Sequence, residues 1–329
     1  MRFGVQVLLP GLFDLPSHEL DARLLREDLP ALNFLLSRAR TRPNRDYSID
    51  ALLSSALYGE ALDRQAGLPF AAAFVDDRAH AERTMLLEAL HLQADMQGAI
   101  AVPIPKTDEN LQDIDIIFND LGEYFKVDCL IEALPGGRYL LRLQAFDPPR
   151  HYPHPLSVVG KSVGPFIEQS RQVLPWYRLV NELQMFMHQH PVNARRLRQG
   201  RLAINSLWAW GAGMAAQPVR RPAWFGGDDL LDRYADHLGL TVGSRSDLAR
   251  GDVPGQALIV DLRLLELLKS GSAARLDDLL LDLERNLFEP LLRRPREVTL
   301  RAAAAFDFVL GRHARLGFWR RRRNLLDWC

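Results

Sequence analysis

Residues 188–213 read HQHPVNARRLRQGRLAINSLWAWGAG, the most specific grouping of polar and small residues in the chain. Asn193, Arg196, Asn205 and Ser206 bring amide, guanidinium and hydroxyl groups. Such groups either hold a polar ligand or satisfy backbone atoms that a turn leaves unpaired. The segment joins a long helical stretch to a Gly-rich turn at Gly211 and Gly213, so a structural clasp is expected. The run Gly211-Ala212-Gly213 lacks the third glycine of a dinucleotide fingerprint, and no Walker loop occurs. In the preceding stretch WYRLVNELQMFMHQH, Asn181, Gln184 and His188 recur on one helical face. Such a stripe either lines a site or is a set of amides satisfied by nearby backbone.

No histidine pair has the H-x-x-x-H or H-E-x-x-H spacing of a metal site. His188 and His190 straddle a helix end, where an imidazole meets the helix dipole; His237 and His313 are isolated. Cys129 and Cys329 form neither a disulfide framework nor a metal-ligand spacing and fit a reducing compartment. Arg320 to Arg323, between Trp319 and Trp328, have a composition that can meet nucleic-acid phosphates. In a neutral chain the expected reading is different: these arginines pair with acids such as Asp277, Asp278, Asp282, Glu284 and Glu289, and Trp319 packs inside.

The elements that position these residues follow from periodicity. Residues 3–9 (FGVQVLL) and 257–262 (ALIVDL) have the look of buried strands, and so does 70–75 (FAAAFV). Residues 29–39, and 48–62 with Ser48 as N-cap, are helical patterns. Further helices are expected over 110–125, 163–188, 228–238 and, as one long amphipathic element, 273–292. Residues 128–134 and 138–145 flank a Gly-rich turn and predict a hairpin. Pro103 makes 100–104 an edge strand or a loop. Residues 297–310 read as one or two strands. Strands alternating with helices predict an α/β architecture with a largely parallel sheet.

The chain has 329 residues, enough for one large domain or two of ~100–200. With 47% hydrophobic and 25% charged residues it has a globular composition. Lys+Arg and Asp+Glu both number 41, which gives no global field for nucleic acid or an anionic membrane. The apolar stretch at residues 5–9 is too short for a signal peptide or a membrane span. A cytoplasmic, soluble protein is expected.

The pattern Pro191, Asn193, Arg196, Gly200, Asn205, Ser206, Trp208, Trp210, Gly211 and Gly213 resembles the archaeal-type cofactor-independent phosphoglycerate mutases. It resembles still more their shorter bacterial relatives, the RpfE-type regulatory proteins. LPALNFLLSRAR, the hairpin arginine stretch at 138–143 and the ending FWRRRRNLL are similar to the same group. The resemblance implies an alkaline-phosphatase-like three-layer α/β core, residues 1–75 and 161–329, with a small α+β cap domain, 76–160, inserted. In the active mutases it implies two divalent ions, Mn or Mg, at strand ends. These activate a Ser or Thr that takes the phosphoryl group and returns it to the other hydroxyl of glycerate.

The sequence departs from that pattern at the metal ligands. Pro10-Gly11 stands where the family has Asp-Gly, no histidine follows ALIVDL, and Asp307 has no adjacent His. Met96 and Gln97 stand where phosphate-holding arginines are expected. The expected protein has therefore lost its metals and catalysis. It acts as a regulatory or interaction protein toward a protein partner or a small phosphorylated metabolite, without membrane or nucleic-acid binding. The alternative is a live phosphotransferase with a rearranged site built on Asp14, Asp261 or Asp307.

Overall fold

The computed structural model describes residues 4–16, 24, 28–59, 67–96, 98–135, 137–149, 152–168, 170–271, 275–314 and 323–328. In chain order the elements begin β1 (Val5–Leu8), α1 (Pro30–Arg38), β2 (Arg40–Pro43), α2 (Ile49–Tyr58) and α3 (Arg78–Ala81). Then come β3 (Thr84–Asp95), β4 (Gly98–Pro103), α4 (Asp108–Tyr124), β5 (Cys129–Leu134) and β6 (Arg138–Leu143). They continue with α5 (Leu174–Gln189), α6 (Pro191–Arg198), β7 (Ser206–Trp210), β8 (Ala223–Phe225), α7 (Asp229–His237) and α8 (Arg245–Arg250). The last are β9 (Ala257–Val260), α9 (Arg263–Ser270), α10 (Leu276–Leu283), α11 (Glu289–Leu292), β10 (Val298–Arg301) and β11 (Phe306–Leu310). The protein is thus a mixed α/β chain. None of its described helices is long and apolar enough to cross a membrane.

The chain divides into two compact units, Met1–Leu62 with Gln217–Cys329, and Asp63–Ala216. The first unit holds a six-stranded sheet in the order β2-β11-β10-β1-β9-β8. β1 runs parallel to both β10 and β9, and β8 is parallel to β9, while β11 and β2 are antiparallel. Val5, Val7, Ile259, Val298 and Leu300 of the central strands are buried against α1, α10 and the turn that follows α10. Runs apolar on both faces suit central parallel strands.

The second unit holds β4-β3-β6-β5, with β7 also on β3. Residues 206–210 pair antiparallel with Leu86 to Leu90, so the chain leaves the second unit only at 216. Every residue of β7 is buried. Trp208 packs on Tyr152 with ring centroids 4.5 Å apart, and its indole N–H donates to the Pro153 carbonyl at 2.9 Å.

Three expected elements differ. The helix expected over 163–188 begins only at Leu174, after 3-10 turns at Gly164–Phe166 and Arg171–Val173. Residues 70–74 form a 3-10 turn in place of a strand. The Ala71 amide donates to the Gly211 carbonyl at 2.9 Å and the Ala72 amide to Pro69, and three central alanines have little of the β-branched bulk that favours a strand. The long helix expected over 273–292 is interrupted by a π turn at Glu284–Phe288 between α10 and α11. The expected packing of Trp319 and pairing of Arg320 to Arg322 lie outside the described residues. Arg323 meets no acid among the described residues, and its guanidinium lies 5.0 Å over the Trp328 ring.

Candidate functional site

In the second unit, the end of α5, all of α6 and the loop to β7 bring Asn193, Arg196 and Asn205 together. α6 begins on His190, whose Nδ1 accepts from the Val192 amide at 3.2 Å while Nε2 meets Asp120 at 3.0 Å. Asn193 is 1% exposed. Its Nδ2 donates to the carbonyls of Met187 at 2.7 Å and Ile204 at 2.8 Å, and its Oδ1 accepts from the Ile204 amide at 2.8 Å. Asn205 treats Leu92 of β3 the same way. Oδ1 accepts from the Leu92 amide at 2.7 Å and Nδ2 donates to the Leu92 carbonyl at 3.0 Å. Its side chain thereby extends the β7–β3 ladder past Ser206, itself opposite Leu90.

Arg196 is 2% exposed. Its Nε donates to the Leu202 carbonyl at 2.7 Å, and one terminal nitrogen reaches Asn110 Oδ1 at 2.8 Å and Asp113 Oδ2 at 2.6 Å on α4. Arg195 also bonds Asp113, and Arg201 lies 3.1 Å from the same carboxylate. Burial alone would raise the Asp113 carboxyl, but the guanidinium groups of Arg196 and Arg195 outweigh it and hold it below its ordinary 3.8. Ser206 Oγ accepts from Gln184 at 2.9 Å. Of the stripe Asn181, Gln184 and His188, only Gln184 turns inward; the other two are exposed. Gly211 has φ +75°, and a Cβ there would lie 3.2 Å from Phe70 Cβ; Gly213 has φ +110°. Both glycines serve the turn backbone. The polar atoms described for Asn193, Arg196 and Asn205 are engaged with backbone or with α4, not directed at a free volume.

The carboxylates named as metal ligands lie in the first unit. Asp261 follows β9, and its amide donates to the Leu8 carbonyl at 3.0 Å, which sets it at the carboxyl end of β1. Its carboxylate receives Arg263 Nη2 at 2.7 Å and Nε at 3.1 Å, and Arg263 also reaches Asp282 at 2.6 Å. Asp307 on β11 is 1% exposed, with Arg42 at 2.9 Å and Arg301 at 3.3 Å. Arg301 further donates to Asp46 at 2.7 Å, Ser55 Oγ at 2.7 Å and the Leu52 carbonyl at 3.3 Å. Asp307 sits on β11 and Asp261 just past β9, and β10 and β1 lie between those two strands. Asp14 is exposed on the loop after β1.

These residues do not fit a pair of divalent ions. A hard cation needs several oxygen or nitrogen donors converging on it. Pro10 offers none, and Asp261 and Asp307 each have a guanidinium where a cation would bind. A Cβ on Gly11 would lie 2.9 Å from Leu268 Cδ1 of α9, so apolar side chains close the end of β1. Among the described residues, no three His, Cys, Asp or Glu side chains form a group able to hold a metal. Sequence reasoning named Asp261 and Asp307 but missed the arginines that hold them, Arg263 and Arg301, and Asp46 beside Arg301. The signals were an arginine closing an apolar strand and the spacing Asp261-x-Arg263.

No family model matches the chain. It is 30% identical over 101 residues to a probable 2,3-bisphosphoglycerate-independent phosphoglycerate mutase of Geobacter sulfurreducens, a match covering 30% of this chain and 22% of the relative. Among solved structures it is similar to the cofactor-independent phosphoglycerate mutase of Thermoplasma acidophilum, at 18% identity and a TM-score of 0.39, over 94% of this chain and 89% of that one. A Pyrococcus horikoshii protein aligns at 14% identity and a TM-score of 0.45, over 94% and 87% of the two chains.

Proposed function

We propose that this chain is a phosphoglycerate-mutase-like protein of the RpfE type that works by binding, as a regulatory or interaction protein, and not by metal-dependent phosphoryl transfer. One observation carries the reading: the strand-end positions where metal ligands are expected hold Pro10 and two carboxylates already closed on arginines. Phosphoryl transfer needs its developing charge neutralised by fixed cations. Guanidinium groups committed to Asp261, Asp307 and Asp46 are poorly placed to supply that. The 30% identity to a probable mutase supports the family. In this reading the first unit is the alkaline-phosphatase-like core and the second its inserted cap.

The test joins metal content to activity. Protein purified without chelator is expected to contain no stoichiometric Mn, Zn or Mg by elemental analysis. Millimolar Mn²⁺ or Mg²⁺ is expected to leave Tm unchanged, since an ion that binds only the folded state stabilises it by mass action. The two monophosphoglycerates should not interconvert. A chelator-reversible rise of several degrees together with turnover would instead establish the rearranged phosphotransferase.

A further inference from the structure

A cavity of about 250 Å³ lies in the first unit beside the ends of β8 and β9, walled by α8, α9, α10 and the π turn. It is smaller than the roughly 300–1,000 Å³ of sites for drug-sized ligands. That size suits an amino acid and is too small for a nucleotide. Its apolar wall is made by Leu248, Ile259, Leu283 and Leu287, all buried residues. Its polar lining carries both signs of charge. Arg263 closes on Asp261 through Nε and Nη2, so that pair is largely self-satisfied.

The remaining two charges come from different elements. Arg245, exposed at the start of α8, donates to the Gly227 carbonyl at 3.3 Å, and its charge helps hold the Asp282 carboxyl below its ordinary value. Asp282, half-buried on α10, takes Arg263 on Oδ2 and Asn286 on Oδ1, each at 2.6 Å. Each carboxylate oxygen has a second lone pair for a further donor. A ligand bearing only a negative group would find the Asp282 carboxylate in the same small volume, and one bearing only a positive group would find Arg245. Like charges brought together in a confined site are costly. A ligand carrying both charges, with an aliphatic body, matches the whole lining.

We propose that this cavity binds a small zwitterion with an apolar side chain, an aliphatic α-amino acid, its carboxylate on Arg245, its ammonium on Asp282 and its side chain against Leu248, Ile259, Leu283 and Leu287. No bond is made or broken. The site lies apart from Asn193, Arg196 and Asn205, but Asp261 lines it, so the test is made without metal.

The experiment is calorimetry and thermal shift on the full chain in chelator-treated buffer. The probes are L-leucine, L-valine and L-methionine, with isovalerate, isoamylamine and glycine as controls. At least one of the three amino acids should give a saturable rise in Tm, with each control at least tenfold weaker. Arg245→Gln, at an exposed side chain, should weaken that binding at least tenfold with the unliganded Tm unchanged. Leu248→Phe, which fills the cavity, should abolish it. Absence of binding by all three amino acids overturns the proposal. So does isovalerate or isoamylamine binding as tightly as they do, or unchanged affinity in Arg245→Gln. Should Leu248→Phe fail to fold, Arg245→Gln still decides.

Discussion

Asn193 and Asn205 use the same device. Each primary amide meets both the N–H and the C=O of one residue, Ile204 and Leu92, as a strand residue would. Only Asn or Gln carries a donor and an acceptor in that fork, and Gln is one methylene too long for a tight turn. Asn205→Ala leaves the Leu92 pair without its partner and should cost about 1–3 kcal/mol in urea unfolding. Asn205→Asp should cost at least as much, because a carboxylate cannot donate to the Leu92 carbonyl. Arg196 and Asp113 add a pH signature. The folded Asp113 carboxyl lies below its ordinary 3.8, so the unfolded chain takes up its proton first as pH falls. That contribution to stability is present above about pH 4 and is lost as pH drops through the lower folded value. Asp113→Asn should flatten the acid limb of a Tm-against-pH curve and lower stability at neutral pH. The motif residues were legible because Asn, Arg and Gly in that order have few structural uses. Their partners were not, because Asn110 and Asp113 sit in an acidic helix that reads as a solvated face until α6 is laid against it.

The elements read most easily were those whose local pattern and tertiary setting agree. β1 and β9 are apolar on both faces, and α2 starts where Ser48 caps it, accepting from the Ala51 amide at 3.1 Å. β2, with sequence RTRP, carries no apolar signal and exists because β11 pairs with it. β7 was hidden by the Gly-rich turn at Gly211 and Gly213 that follows it, and its strand form comes from β3. The π turn was invisible for a related reason. Periodicity runs on through residues 284–288, but one residue more per turn brings Glu284 inward, 4% exposed, toward the start of α1. Its carboxylate accepts from the Ala31 amide at 2.5 Å and the Leu32 amide at 3.0 Å, donors that Leu29 at the N-cap cannot satisfy. Burial pushes the Glu284 carboxyl up, and the two amides only partly oppose this. Glu284→Ala should therefore leave two amides without an acceptor and cost about 1–3 kcal/mol, measured by denaturant titration. A neutral result would show that water replaces the carboxylate and that the π turn has another cause.

At the scale of the molecule, the sheet of the first unit has the topology whose carboxyl-end crevice ordinarily receives ligands. Here that edge is closed in the middle. Leu265 and Leu268 of α9 lie against Gly11, and Phe13 packs on Phe308 at 5.2 Å and, through it, reaches the ring of Trp328. To one side Arg301 joins Asp307, Asp46 and Ser55; to the other Arg263 joins Asp261 and Asp282. Arg301 is 5% exposed, and Arg301→Ala removes the guanidinium shared by the buried carboxylates of Asp46 and Asp307, Arg42 remaining on Asp307, so a loss of about 3–5 kcal/mol is expected from thermal unfolding. A harder question is whether one substitution returns a metal site. Pro10→Asp places a carboxylate at the end of β1, at a buried position among leucines. A metal would then need Asp261 and Asp307 as well, yet each would first have to leave its arginine, and Asp307 lies on a strand two removed from β1. Freeing a buried carboxylate from its partner is itself costly, and a new carboxylate among leucines adds a desolvation penalty. Pro10→Asp should therefore lower Tm and show no recovery on adding Mn²⁺ at millimolar concentration, read by thermal unfolding with and without chelator. A chelator-reversible rise in Tm in that single variant would mean that the arginines yield readily to a cation and that one carboxylate at position 10 is enough to complete a metal site.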